Sequence, residues 1–380
     1  MHVLTLTPFY PSALNDAGGC FIAEPLGKAE QFEVKNTIFA VQPVHHRRAH
    51  SSQDAPPAWW IRYPALPGGI GLASAGTLLY AALVSRIRKL HGLQPVDLIH
   101  AHGALPCGHA AVLLERELGI PFVVTVHGLD AFFTNQVKGR ARRWCERVSR
   151  RVYRSARRVV CISERVCDEA VKGALAPLRT AVIYNGADPQ LFLPSQDDSS
   201  QATILSVGNL IPSKGHELLL RAIAAIHPRW PNLCWEIIGE GPECSRLRRI
   251  AEQLGVARNI RYLGRQSRAQ VAAAMRRCTL FALPSRYEGL GCVYLEAMSA
   301  QKPAIACRGQ GIEEIIQHGI NGWLVDPGDL EGLTEALSGL LENAQLRTDV
   351  GRAARHTILR NFTVEHQAER LAELYRECAA

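Results

Sequence analysis

Short apolar runs alternate with longer amphipathic stretches from the first residues of the chain onward. His2–Thr7, Thr37–Gln42, Asp97–Ala101, Phe122–His127, Arg158–Ser163 and Ala181–Tyr184 have the length and β-branched content of strands. Runs such as VVTV and VVCI are apolar at successive positions, as expected of strands covered by helices on both faces. After Leu193 the polar run PSQDDSSQ breaks the pattern and reads as a linker over 194–202. The alternation resumes at Thr203, with ILSVG, LCWEIIG, IRYL, TLFALP, AIAC and GWLV as strands and Gly215–Ile226 and Glu243–Leu254 among the helices. A last helix is predicted over Val364–Cys378, with Thr363 as its N-cap. The pattern predicts an α/β chain of two Rossmann-like, doubly wound domains, 1–193 and 203–360. Residues 361–380 form a C-terminal helix that packs on either half, including back on the N-terminal domain. Two such domains in tandem are expected to face each other across a central cleft, with the site on loops that follow strands.

Composition supports this and removes alternatives. A chain of 380 residues exceeds what one compact core usually holds. With 47% hydrophobic and 21% charged residues it is neither disordered nor fibrous. No apolar run approaches the ~20 residues of a spanning helix, and the first residues lack a basic segment followed by a long apolar one. The 11 cysteines form no C-x-x-C pair and read as reduced core thiols, so a cytoplasmic location is expected. The net charge of +8 favours an anionic partner.

The most informative loop follows Leu280–Leu283 and reads PSRYEGLGCVYLEAM. Gly289 and Gly291 let backbone approach a ligand, and the free amides of a helix beginning near Gly291 suit an anion. Glu296 falls in the second turn of that helix. Its distance from Glu288 suits two ends of one ligand better than the carboxyl pair of a retaining hydrolase, which needs about 5 Å.

This Glu-Gly-Leu-Gly segment lies in a series of motifs: SVGNLIPSKG (206–215) and IIGEGPE (237–243) before it, RGQGIEEII (308–316) and NGWLVDPGD (321–329) after it. Earlier come Gly18-Gly19, HAHG (100–103), VHGLD (126–130), ISE (162–164) and YNGADPQLF (184–192). Together they resemble glycosyltransferase family 4, over nearly the whole chain. The resemblance implies a GT-B fold and transfer of a sugar from a nucleotide diphosphate donor with retention of anomeric configuration. It implies catalytic roles for His127, Lys214 and Glu288: His127 approaching the donor sugar, Lys214 neutralising the diphosphate as it leaves, and Glu288 holding donor-sugar hydroxyls. Glu296 would hold the ribose hydroxyls as a double acceptor. Gly18, Gly19, Asn209, Gly289, Leu290 and Gly291 complete the implied donor site, and His102 is placed on the acceptor side. The expected partners are a nucleotide-sugar donor, UDP-linked in preference to GDP-linked, and a glycan or polyprenyl-linked acceptor in cell-surface polysaccharide synthesis.

One position departs from the pattern: many members carry Arg where this chain has Asn209, and Arg286, Arg265 or Arg308 are the candidates to replace that charge. The sequence contains no Asp-x-Asp pair, so no cofactor and no tightly bound metal are expected. GEGPEC fails at the third glycine of a dinucleotide fingerprint, which argues against an oxidoreductase. A nucleotide-sugar epimerase, a phosphorylase-like enzyme or a noncatalytic nucleotide-sugar sensor on the same fold are the alternatives. Residues 138–158 hold ten basic residues against the single acid Glu146. Trp144, Val148, Val152 and Tyr153 then form either the lipid-facing strip of a helix at an anionic membrane or the inward strip of a solvated basic helix. No nucleic-acid motif accompanies this charge, and nucleic acid is not an expected partner.

Overall fold

The computed structural model describes residues 1–13, 15–47, 49–53, 55–66, 71–128, 137–195 and 201–379. It divides into two compact units, Met1–Asn185 with Val364–Ala380, and Gly186–Thr363.

The first unit is built on a parallel sheet of β1 (His2–Thr7), β2 (Lys35–Pro43), β3 (Trp59–Tyr63), β4 (Leu98–His102), β5 (Phe122–Val126), β6 (Val159–Cys161) and β7 (Thr180–Val182). Their order is β3-β2-β1-β4-β5-β6-β7. Every residue of β1, β4 and β5 is buried, so neither face of these strands meets water, and β5 (FVVTV) is apolar at all but one position. The sequence pattern had not marked β3. It lies at the sheet edge, pairs with β2 alone among the described residues, and leaves Trp59 64% exposed.

The C-terminal helix Val364–Ala379 belongs to this unit, where Leu371, Ala372, Leu374 and Tyr375 join Val3, Leu98, Val123 and Val160 in one core. The helices Leu72–Leu93, His109–Leu118 and Gly139–Ser155 pack on one another elsewhere in the unit.

The second unit repeats the plan with β8 (Thr203–Val207), β9 (Cys234–Ile238), β10 (Ile260–Gly264), β11 (Leu280–Ala282), β12 (Ala304–Cys307) and β13 (Trp323–Val325), in the parallel order β10-β9-β8-β11-β12-β13. Its core gathers Ile204, Leu220, Ile223, Trp235, Ile237, Leu280 and Ile305 with Leu333 and Leu337. The helix Arg268–Arg277 starts at a reciprocal capping box between Ser267 and Gln270, which satisfies two amides that have no partner within the helix.

The chain enters the second unit at Gly186, eight residues before the expected linker. The reason is Phe192, which is fully buried and whose carbonyl accepts hydrogen bonds from Ser299 Oγ and Arg355 Nη1, both at 3.2 Å. Of the polar run taken as a linker, residues 196–200 lie outside the described residues. In each unit strand order reverses once, between β1 and β4 and between β8 and β11, and it is there that α/β sheets hold ligands.

Candidate functional site

At the β8/β11 reversal two loops meet. A short turn over Pro212–Lys214 folds the first back, and Gly215 closes it with φ of 74°. A Cβ at Gly215 would stand 2.0 Å from the Pro284 carbonyl oxygen, so only glycine lets the loop lie against the one after β11. The amide of Arg286 donates to the Ser213 carbonyl at 2.7 Å and pins the two together. Lys214 Nζ consequently reaches Glu288 Oε1 at 2.5 Å, with the two side chains 20% and 10% exposed. Ser285 Oγ donates to the same carboxylate oxygen at 3.2 Å.

Beyond Glu288 the chain passes Gly289, the fully buried Leu290 and Gly291, whose φ of 84° turns it into the helix Cys292–Ser299. Glu296 sits in that helix with a side chain only 3% exposed, its Oε1 2.6 Å from Arg268 Nη1. Its Oε2 is buried and makes no hydrogen bond among the described residues. The Arg268 guanidinium also lies 4.6 Å above the Phe192 ring. Lys214, Glu288, Gly289, Leu290, Gly291 and Glu296 are therefore brought into one pair of loops and the helix they start.

Asn209 is exposed on the same β8 loop. Of the arginines that could replace its missing charge, Arg265 faces Glu240 at 3.6 Å, and Arg308 faces Glu313 and Asp326, each at 3.7 Å. Arg286 makes no ion pair among the described residues. Beside Lys214, His216 is buried with neither ring nitrogen hydrogen-bonded among the described residues. Burial, helped by the Lys214 charge, lowers its pKa to about 4.

In the first unit the loop after β1 ends at Gly18 and Gly19. Gly19 has φ of 80° and starts the helix Cys20–Lys28, and a Cβ there would meet Phe9 and Tyr10 backbone at 2.6 Å. At the ends of β4 and β5, His102 Nδ1 and His127 Nε2 share a hydrogen bond of 3.0 Å. His100, two residues before His102 on the same strand face, bonds Tyr375 Oη at 2.6 Å and Thr125 Oγ1 at 2.7 Å. Phe9 and Phe21 flank His127 at ring distances of 5.9 and 5.0 Å. Burial lowers the pKa of His100 and His127 to about 3 and that of His102 well below its usual value, so all three rings are neutral near pH 7. His102, expected on the acceptor side, is only 5% exposed and stands behind His127. The VHGLD motif ends in residues 129 and 130, outside the described residues.

The basic stretch forms the helix Gly139–Ser155, and its expected strip is split. Val152 and Tyr153 turn inward with Cys145 and Ser149, while Trp144 stays 50% exposed. Arg140, Arg143, Arg147, Arg151 and Arg154 are exposed with Trp144 at helical spacing. Among the described residues no helix is long and apolar enough to cross a membrane.

A lysine and a carboxylate held beside a glycine-bearing helix start, at the point where strand order reverses, have the layout of a ligand site in an open α/β sheet. Residues 190–357 match the family model for glycosyl transferases group 1, and residues 37–191 match that for glycosyltransferase family 4. An uncharacterized glycosyltransferase, MJ1178 of Methanocaldococcus jannaschii, is 31% identical over 74% of this chain and 76% of its own. The GDP-mannose-dependent alpha-(1-6)-phosphatidylinositol monomannoside mannosyltransferase of Mycolicibacterium smegmatis is 27% identical over 77% of this chain and 79% of its own. In fold, the chain matches Anabaena Alr3699/HepE, solved in complex with UDP and glucose, with a TM-score of 0.76 at 22% identity over 99% of this chain and 100% of the other. The chain belongs to glycosyltransferase family 4: it is a glycosyltransferase with the GT-B fold, as the motifs implied.

Arg268, Gln310, Ser285 and Tyr375 were not singled out from sequence. His100 and His102 did carry a signal, since two histidines spaced by two on a strand share a face. Ser285 and Gln310 lie inside quoted motifs that gave no sign of their partners, and Arg268 and Tyr375 lie in none of them.

Proposed function

We propose that this chain moves a sugar from a UDP-sugar to a glycan or polyprenyl-linked acceptor in cell-surface polysaccharide synthesis, with retention of configuration. The observation that carries the reading is the Lys214–Glu288 pair at the β8/β11 reversal, with Glu296 buried in the helix that follows. Lys214 stands where a cation can meet the charge that grows on a leaving diphosphate, an effect strongest out of bulk water. Glu288 takes donor-sugar hydroxyls, Glu296 the ribose, and the amides over 289–291 the phosphates. Gly18, Gly19, Asn209 and His127 keep the donor-side roles that the resemblance implies. His102 is reassigned from the acceptor side to support of His127.

The preference for UDP draws support from the HepE complex with UDP and glucose, and GDP-mannose use by the mycobacterial relative is the competing choice. That relative's lipid acceptor supports an acceptor at a membrane. The exposed arginines around Trp144 suit the anionic inner face of a cell membrane. With no Asp-x-Asp pair in the sequence, we assign phosphate neutralisation to Lys214 and expect turnover to persist in EDTA.

The test is a thermal-shift panel of UDP, GDP, ADP and their sugar conjugates on wild type and Glu296→Ala, since a ligand of the native state raises its melting temperature. Stabilisation by the uridine series, lost in the variant, is the expected result. Stabilisation by the guanosine series alone would move the donor assignment to GDP, and no shift with any nucleotide at millimolar concentration would refute the donor site.

A further inference from the structure

We propose that Gln310 is a positioning residue of the transferase, setting the peptide of Glu288 and through it the carboxylate. The inference rests on the role given to Glu288 above. Between Leu283 and Gly291 the chain has no regular structure, so the Glu288 peptide lies in neither a helix nor a strand. The loop after β12 holds it. Gln310 Oε1 accepts the Glu288 amide at 2.9 Å, and the Gly311 amide donates to the Glu288 carbonyl at 3.3 Å. Two consecutive residues thus bracket both polar groups of one residue.

The bracket is itself held. Gln310 is 6% exposed, its Nε2 donates to the Arg308 carbonyl at 3.3 Å, and its carbonyl accepts the Glu313 amide at 2.9 Å. Arg308 is tied to β13 through its amide and the Val325 carbonyl, 2.8 Å apart. Lys214 and Ser285 meet the carboxylate at Oε1, so the side chain is held from one side and the backbone from the other. A displaced peptide would swing the carboxylate away from Lys214, and reacting groups lose rate steeply when misplaced by about 1 Å.

The experiment compares wild type with Gln310→Met, which keeps length and removes the acceptor, Gln310→Glu, which keeps the acceptor, and Glu288→Gln. Nucleoside diphosphate release is followed with whichever of UDP-glucose, UDP-galactose, UDP-N-acetylglucosamine and GDP-mannose wild type turns over fastest. Affinity for the bare diphosphate is measured by calorimetry, and exchange of the Glu288 amide by hydrogen exchange. Gln310→Met is expected to lower kcat about tenfold, the size associated with losing one buried hydrogen-bond partner. Its affinity for the bare diphosphate stays within twofold of wild type, and its Glu288 amide exchanges at least tenfold faster. Gln310→Glu keeps the acceptor but gives up the donation to the Arg308 carbonyl, so it is expected to restore amide protection and turnover in part, above the level of Gln310→Met.

Wild-type kcat in Gln310→Met, beside an inactive Glu288→Gln, would overturn the inference and leave the reading of Glu288 intact. An equal loss of diphosphate affinity and turnover in Gln310→Met, unrelieved in Gln310→Glu, would also overturn it, because a merely structural role predicts that pattern. Wild-type turnover in Glu288→Gln would overturn the reading of the site, and the inference with it.

Discussion

Replacing Arg268 with methionine removes the charge opposite Glu296 while keeping most of the side chain's length. The arginine is 15% exposed and the glutamate 3%, with 2.6 Å between Nη1 and Oε1, so water compensates little. At an effective dielectric near 20, two unit charges about 4 Å apart attract by ~4 kcal/mol. Breaking a buried pair by deleting one partner costs about 3–5 kcal/mol, since the survivor is left charged and uncompensated. Loss of the guanidinium above Phe192 adds only ~1 kcal/mol. For a unit the size of Gly186–Thr363, 1 kcal/mol corresponds to roughly 2–4 °C, so its melting temperature should fall by roughly 10–20 °C. The assay is scanning calorimetry of wild type, Arg268→Met, Glu296→Gln and the double variant. The double variant should recover at least half of the loss in Arg268→Met, because its buried site no longer holds a lone charge. A melting temperature for Arg268→Met within 2 °C of wild type, or a double variant no more stable than Arg268→Met, would refute the view that this ion pair holds the carboxylate in place.

Lys214→Ala should lower kcat by at least a hundredfold while leaving affinity for the bare nucleoside within a few-fold, as steady-state kinetics and calorimetry would show; equal losses in both would contradict a role in leaving-group stabilisation. Gly215→Ala forces a side chain to within 2.0 Å of the Pro284 carbonyl at a φ of 74° and should cost about 2–3 kcal/mol in urea unfolding, with turnover lost because Lys214 shifts away from Glu288. The first unit should weaken in acid. His100 and His127 have native pKa values of about 3 against ~6.5 unfolded, so the unfolded chain binds more protons between those limits. Stability then falls as pH drops below about 6.5, each histidine contributing roughly 2 kcal/mol of loss by pH 5, and His100→Gln should flatten the profile in urea titrations at pH 7 and 5.

How far the sequence reveals this molecule depends on the range of the interaction. A strand buried on both faces, such as β5 (FVVTV), announces itself as a nearly continuous apolar run because every position is dehydrated. The edge strand Trp59–Tyr63 escapes notice because it is five residues long and only Ile61 and Tyr63 are buried, too short a run to mark it. The boundary between the units is misplaced because Phe192 lies before the polar run, yet its burial is a property of the second unit's packing. Glu288 and Glu296 stand out from their spacing around a glycine-bearing helix start, whereas Lys214 stands out only through the family resemblance. Their partners do not. Arg268 to Glu296, Gln310 to Glu288 and Tyr375 to His100 are contacts made by folding, and no local period records them.

The two strand-order reversals show how one topology supplies two kinds of chemistry. Beside the β8/β11 reversal two carboxylates are paired with cations at low exposure, Glu288 with Lys214 and Glu296 with Arg268. In the first unit the ends of β4 and β5 hold neutral imidazoles, with Phe9 and Phe21 beside His127 and the C-terminal helix supplying Tyr375 to His100. A neutral imidazole can donate and accept hydrogen bonds without a counterion, whereas Lys214 and Glu288 are held as an ion pair. The division of labour follows from which side chains the loops present and how dry each is kept, since the sheets beneath them are wound alike.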